Sequence, residues 1–173
     1  CAIGRYQDST GAAACVDCLK GMFAEEEGME VCAECPLGTY QDVRASGACI
    51  NCDPGQYAPD NSYYCTDCAA GRVDTDEDPS TPCAACEPGS IAIAGQTACV
   101  NCAAGERMID TEPPECQTCA SGYYAPEMST TCTACAKGRY DNDATAATPC
   151  VVCSTGTYSG EAAFACVDCP HGY

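Results

Sequence analysis

The sequence predicts a fold of small disulfide-rich repeats: an elongated, cystine-laddered rod or solenoid of short β-hairpins and turns, with little helix and no large core. Three observations predict it. Cysteine supplies 21 of the 173 residues, above the roughly 8–10% that marks a disulfide scaffold. Twenty of these cysteines recur as evenly spaced C-x-x-C pairs. Large apolar side chains are scarce.

That scarcity excludes a conventional interior. Ile, Leu, Val and Phe together supply 17 residues, and Trp is absent, which is well under the roughly 20% expected of a chain that collapses on its own. The net charge is −18, and a chain with this composition stays disordered unless it is constrained. The sequence therefore predicts that disulfide bonds take the place of a hydrophobic core.

Cysteine content and charge also bound the function. Because disulfides persist in oxidising compartments, we expect a secreted protein or one on the extracellular cell surface. No apolar run approaches the roughly 20 residues that cross a membrane. The 25 acidic residues outnumber seven basic ones and would repel phosphates, so we expect no nucleic-acid partner.

The repeating module is C-x2-G-x-Y, a variable stretch and C-x2-C. The second cysteine of each pair generally opens C-x-x-G, as in Cys35-Pro-Leu-Gly-Thr-Tyr40. Asp, Ser, Thr, Ala and Pro dominate the variable stretches, which predicts turns and short hairpins, and the glycine is expected at a tight turn or at positive φ. Successive pairs begin 16 to 18 residues apart, at 15/18, 32/35, 49/52, 65/68, 83/86, 99/102, 116/119, 132/135, 150/153 and 166/169.

A longer period of 67 residues is superimposed on the modules. From Cys32 onward the steps between pairs run 17, 16, 18 and 16, and then repeat. Two interpretations stay open: duplication of a four-module block, or a superhelix or packed filament in which every fourth module meets the same neighbour. Gly-Arg recurs in this phase, so Arg5, Arg72 and Arg139 are candidate assembly contacts.

We interpret residues 1–173 as one continuous array of about ten modules of 16–18 residues. Cys1 precedes a Gly-Arg segment as Cys68 does, so it matches the second half of a pair. Cys169 opens a further module. We therefore expect a window of a longer chain, with the partner of Cys169 outside it.

Three disulfide schemes stay open, because spacing alone does not determine connectivity. Bonds could form within each C-x-x-C, or interlace, as in Cys15–Cys32 with Cys18–Cys35. In the third scheme each C-x2-G cysteine closes a ring onto the next cysteine, and a ring of about 15 residues contributes roughly 3 kcal/mol. The tiled pairs are Cys1–Cys15, Cys18–Cys32, Cys35–Cys49, Cys52–Cys65, Cys68–Cys83, Cys86–Cys99, Cys102–Cys116, Cys119–Cys132, Cys135–Cys150 and Cys153–Cys166.

The tandem C-x2-G-x-Y…C-x2-C pattern resembles the ephrin-receptor-like cysteine-rich repeat, and its first half is similar to the leading submodule of TNF-receptor cysteine-rich domains. It also resembles the cysteine repeats of protist surface antigens and of flagellar hair or coat proteins. In those families the cysteine of CPxGxY bonds to the next cysteine downstream, so the resemblance implies the tiled rings. The interlaced second submodule of TNF-receptor domains is absent, so cytokine binding is not implied.

Enzymatic chemistry lacks its usual materials in this sequence. Paired C-x2-C motifs are typical of four-cysteine zinc sites, but here they continue without a break in a chain expected to be oxidised. The single histidine, His171, is at the C-terminal end, which leaves no partner for a nucleophile along the array. We expect no enzyme and no cofactor.

Two further groups of residues are candidate sites. Asp74, Asp76 and Asp78 offer carboxylates at alternating positions, which calcium binds. Pro79 stands where an EF-hand loop needs glycine, so a solvated acidic turn is the preferred interpretation. Hydroxyls near proline in the variable stretches are candidates for O-linked sugars: Ser80, Thr81, Thr145 and Thr148.

Together these patterns favour a structural protein of an extracellular filament or cell-surface coat, whose partners are further copies of itself or other coat proteins. The alternatives are a receptor or adhesin ectodomain that binds a protein ligand, and a surface antigen that does not polymerise.

Overall fold

The computed structural model describes residues 1–8 and 14–170, and these fold into hairpins without a helix. The twenty strands, in chain order β1 to β20, are Arg5–Tyr6, Val16–Asp17, Met22–Phe23, Ala33–Glu34, Thr39–Tyr40, Ile50–Asn51, Gln56–Tyr57, Thr66–Asp67, Arg72–Val73, Ala84–Ala85, Ser90–Ile91, Val100–Asn101, Glu106–Ile109, Glu115–Thr118, Tyr123–Tyr124, Thr133–Ala134, Arg139–Tyr140, Val151–Val152, Thr157–Tyr158 and Val167–Asp168.

Each module forms one antiparallel hairpin from consecutive strands, β1 with β2 through β19 with β20. The first strand follows the glycine of C-x2-G, and the second consists mainly of the two residues inside C-x-x-C. In the first module, for example, Arg5 pairs with Asp17 and Tyr6 with Val16. The seventh hairpin is longer, with four paired residues in each strand. Because two-stranded hairpins are marginal alone, each module depends on its disulfide and its neighbours.

The buried interior consists of sulfur and methyl groups. The buried apolar residues in the described part are nine cysteines, five alanines and Val73, whereas Phe164 is 72% exposed. In the eighth module, Tyr123 packs against a cluster that contains Cys119 and Ala125. The predicted fold class, disulfide-rich repeats without a large core, is confirmed.

The contacts divide the chain into two compact units, Cys1–Ala85 with Ala94–Ala98, and Cys86–Ile93 with Cys99–Tyr173. In the first unit three kinds of backbone hydrogen bond join each module to the next. Gly4 N–H donates to Ala24 O at 2.9 Å, Ala24 N–H to Ser46 O at 3.1 Å, and Ala45 N–H to Cys18 O at 3.0 Å. These bonds pair backbone N–H and C=O groups that the two-stranded hairpins leave unpaired.

The second unit repeats this junction. Gly105 N–H donates to Ala125 O at 2.7 Å, Ala125 N–H to Ala146 O at 2.9 Å, and Met128 N–H to Cys102 O at 3.0 Å. The amides of Ala45 in the first unit and Met128 in the second donate to the carbonyl of a ring cysteine. Both residues have positive φ, of 56° and 60°. Modules within each unit are therefore held by the same local geometry, although their sequences differ.

Candidate functional site

The ten disulfides close one ring in each module. They join Cys1–Cys15, Cys18–Cys32, Cys35–Cys49, Cys52–Cys65, Cys68–Cys83, Cys86–Cys99, Cys102–Cys116, Cys119–Cys132, Cys135–Cys150 and Cys153–Cys166. These are the pairs of the tiled scheme, with neither bonds inside a C-x-x-C nor interlaced bonds between described residues. Cys169 is a free, exposed thiol.

The cysteine that opens a ring is also part of the junction between modules. Cys18, Cys35 and Cys68 are fully buried, and the carbonyl of each accepts an N–H from the next module, for example from Asn61 to Cys35 O at 2.9 Å. The disulfide thus holds in place the backbone group on which the following module rests. The covalent ring and the junction therefore share the same cysteine.

Glycine makes close approach possible at the same junction. Gly122 has φ +85°, and a Cβ there would overlap the carbonyl oxygen of Ala162, two modules further on. Gly4 stands in the same relation to Ala45. Glycine is needed at these positions both for its positive φ and because backbone fills the space of a side chain.

A column of residues three positions after these glycines carries the junctions, and sequence reasoning missed it. Gln41, Asp74, Asp141 and Ser159 are buried polar members, and Ala24, Ala58, Ala92 and Ala125 are buried apolar ones. The signal was present, since nine of the ten modules have a small or polar residue three positions after the glycine, with Met108 as the exception, but no apolar periodicity marked it.

At two junctions an aspartate side chain replaces the backbone acceptor. Gly55 N–H donates to Asp74 Oδ2 and Gly122 N–H to Asp141 Oδ2, each at 3.0 Å. The Gly122 N–H is the main cause that holds the pKa of Asp141 below its ordinary value, against the opposing effect of burial. These two bonds lie 67 residues apart. The four-module super-repeat nonetheless stays a prediction as a statement of domain organisation.

We expect the Gly122 junction to loosen in acid. A carboxyl whose pKa is lowered by folding contributes stability above its ordinary pKa, and this contribution is lost as the pH falls through the lowered pKa. The protection of the Gly122 amide against hydrogen exchange should therefore fall below about pH 4. The Gly105 amide, which donates to the backbone oxygen of Ala125, is the internal control. Equal loss at both glycines would contradict the assignment, and D141N should remove the dependence on pH.

Two of the three calcium candidates, Asp76 and Asp78, accept hydrogen bonds from their own loop. The exposed carboxylate of Asp76 accepts from Asp78 N–H at 3.2 Å and from the Thr81 hydroxyl at 3.0 Å, and these donors lower the pKa of Asp76. Asp78 Oδ1 accepts from the Ser80 hydroxyl at 2.6 Å. In residues 1–8 and 14–170 no group of three or more His, Cys, Asp or Glu is arranged to hold a metal ion. Calcium binding by Asp74, Asp76 and Asp78 stays a prediction: Asp76 and Asp78 accept hydrogen bonds within their own turn, and Asp74 accepts one from the Gly55 amide at a junction.

The hydroxyls proposed for O-linked sugars belong to this turn and to the corresponding turn at Asp143, 67 residues later. Thr81 Oγ1 donates to Asp76 and Ser80 Oγ to Asp78. Thr148 Oγ1 donates to Asp143 at 3.0 Å, and Thr145 Oγ1 accepts from Ala147 N–H at 3.2 Å. Their modification stays a prediction. His171 lies outside the described residues.

The three arginines of the 67-residue phase have different partners. Arg5 Nε pairs with Asp17 Oδ1 at 2.8 Å. Arg72 and Arg139 instead donate through Nη1 to backbone oxygens of Cys83 and Cys150, at 2.8 and 2.9 Å. Of these three arginines, only Arg5 therefore has a carboxylate partner among the described residues.

Comparison with known families agrees with this geometry. A model of a family described as tyrosine-protein kinase ephrin type A/B receptor-like matches residues 21–59, which cover most of the second ring, all of the third and part of the fourth. The chain carries cysteine-rich repeats of ephrin-receptor-like type. The rings outside this range have the same kinds of junction hydrogen bond as those inside it.

No curated protein matches the chain. None of the described residues forms a helix long and apolar enough to span a membrane. The ten disulfides of these ephrin-receptor-like repeats are typical of proteins in an oxidising, extracellular environment.

Proposed function

We propose that this chain is structural material of an extracellular filament or cell-surface coat, with no enzymatic activity. The observation that carries the proposal is the use of its buried polar groups. Each of the five buried polar side chains in the described part bonds to backbone of its own or a neighbouring module: Gln41, Asp74, Ser90, Asp141 and Ser159.

This use of polar groups favours a mechanical role. Ser159 Oγ, for example, donates to Arg139 O at 2.7 Å, across the junction between two modules. Catalytic sites, in contrast, bring polar groups together in a cleft and leave them free to act on a substrate. A repeated junction also resists extension along its length, because each ring is closed covalently and each module rests on the next.

The net charge favours a surface in contact with water and sets a condition on contact between copies of the chain. With a net charge of −18, the surface stays hydrated and repels its neighbours at low ionic strength. Salt or a specific contact must overcome this repulsion for copies to pack side by side. We therefore expect assembly to depend on ionic strength.

Electron microscopy of the purified, oxidised chain tests the proposal. We expect regular fibres or sheets as concentration rises, in salt near 0.15 M, where the screening length is about 8 Å. Discrete particles at every concentration and salt would contradict the proposal. They would favour the alternative of a receptor or adhesin ectodomain, or a surface antigen that does not polymerise.

A further inference from the structure

The difference between the three phase-related arginines comes from their cross-strand neighbours. Arg5 lies opposite Asp17 in the first hairpin, and opposite charges in this relation attract. Arg139 lies opposite Val152 in the ninth. Because Val152 offers no charge, Arg139 turns to the Cys150 carbonyl and keeps its positive charge uncompensated.

Arg139 lines a groove between the eighth and ninth modules, in the second unit. The groove has a volume of about 280 Å³ and is lined by Tyr124, Thr133, Ala134, Ala136, Pro149 and Cys150 in addition to the arginine. None of these residues carries a carboxylate. The bond to Cys150 O uses one of five guanidinium N–H groups, so others are available to pair with an incoming acid.

A second groove of the same construction lies 67 residues earlier, in the first unit. It has a volume of about 370 Å³ and contains Arg72 and Tyr57. Asp67 takes the place that Ala134 has in the later groove, and it accepts from Gln56 at 2.8 Å. A carboxylate inside the groove lowers its attraction for a further acid, so the Arg139 groove is the stronger anion site.

The chain itself supplies a matching acid. Glu25, Glu26 and Glu27 form a run of three exposed carboxylates in the loop of the second module. Their side chains make no hydrogen bond or ion pair within residues 1–8 and 14–170. The acidic turn at Asp76 and Asp78 is less suitable, because its carboxylates already accept bonds from their own loop.

We propose that the Arg139 groove binds the Glu25–Glu27 loop of a second copy of this chain. The groove presents the positive charge of Arg139 in a strongly acidic protein. Charge complementarity selects the loop whose carboxylates have no other partner. The contact joins unlike surfaces of two copies, so each copy keeps a groove or a loop with which a further copy can pair, as growth of a filament requires. This inference rests on the proposed function, for which it names the contact.

Charge reversal tests the contact through the critical concentration for assembly, measured by sedimentation of the oxidised chain in salt of about 0.15 M. We expect R139E to raise that concentration by up to about fivefold, since an exposed ion pair contributes up to about a kcal/mol. E25K/E26K/E27K should raise it as well. Combining both sets in one chain should restore assembly, because the charges are then exchanged and attract again.

R44E is the matched control. Arg44 is exposed and outside both grooves, and R44E changes the net charge as much as R139E does. A134D is a second variant that keeps Arg139 and adds the carboxylate found in the other groove; it should weaken assembly too. One free thiol per chain, that of Cys169, reports that each variant has folded.

The outcomes separate the two proposals. If the unsubstituted chain forms no assembly, the proposed function fails and this contact fails with it. If the unsubstituted chain assembles, and R139E and the glutamate variant behave as R44E does, the contact is wrong while the structural role stands. Failure of the combined variant to recover would also overturn the pairing of this loop with this groove.

Discussion

Replacing Cys119 and Cys132 together by alanine is expected to cost about 3 kcal/mol of local stability and to open the eighth module. The disulfide closes a ring with a sequence separation of 13, and a loop of this size accounts for roughly that free energy. Cys119 also belongs to the small buried cluster with Ala125, so its loss removes packing as well. Both cysteines are replaced to avoid a free thiol that could exchange with other rings.

Hydrogen exchange at the two junctions of this ring measures the effect. The amides of Ala125 and Met128 donate to Ala146 O and Cys102 O, and we expect their protection to fall by more than about a hundredfold. C169A is the control, because Cys169 is free and exposed and should leave both amides unchanged. Unchanged protection in the double variant would show that hairpin and junction bonds suffice without the ring.

Substituting Gly122 by alanine is expected to be among the most damaging changes of a single residue. Its φ of +85° is unfavourable for alanine by about 1–2 kcal/mol. The new Cβ would also overlap the backbone oxygen of Ala162, and overpacking of this kind costs about 1–3 kcal/mol more. Because the clash is with backbone, relief requires the tenth module to shift.

Gly156 supplies the matched control for that substitution. It has φ +88°, and a Cβ there would meet no atom within 4 Å. G156A should therefore show the backbone strain alone, and the difference between the two variants in thermal unfolding measures the packing. Equal destabilisation by G122A and G156A would mean that modules two apart do not press on each other at this glycine.

This architecture differs from a globular domain in where its specificity lies. A core of large side chains selects one packing through shape, but here the buried groups are mainly sulfur, alanine methyls and backbone. Selection depends instead on hydrogen bonds between N–H and C=O groups at fixed spacing. The variable stretches can therefore differ among modules, provided that each ring keeps its glycine and a cysteine separation of 13 to 15.

Much of the candidate site could be anticipated only in part. The arginine phase is visible in the sequence, but the fate of each arginine depends on the residue across the hairpin, Asp17 for Arg5 and Val152 for Arg139. The carboxylates of Asp74, Asp76 and Asp78 are close in sequence, yet folding assigns Asp76 and Asp78 to one turn and Asp74 to a junction. The sequence shows which charged groups lie near one another along the chain. The pairing of the strands decides which of them come into contact.

The amino-acid sequence by itself determined the class of fold and the length of its unit, because cysteine spacing and the scarcity of large apolar residues are local properties that need no coordinates. Only the tertiary structure decided between the three pairing schemes that the residues left open. It alone also revealed that Gly122 faces Ala162 and that Asp141 replaces a backbone acceptor. Such contacts join residues of different modules, so they depend on how each ring packs against the next.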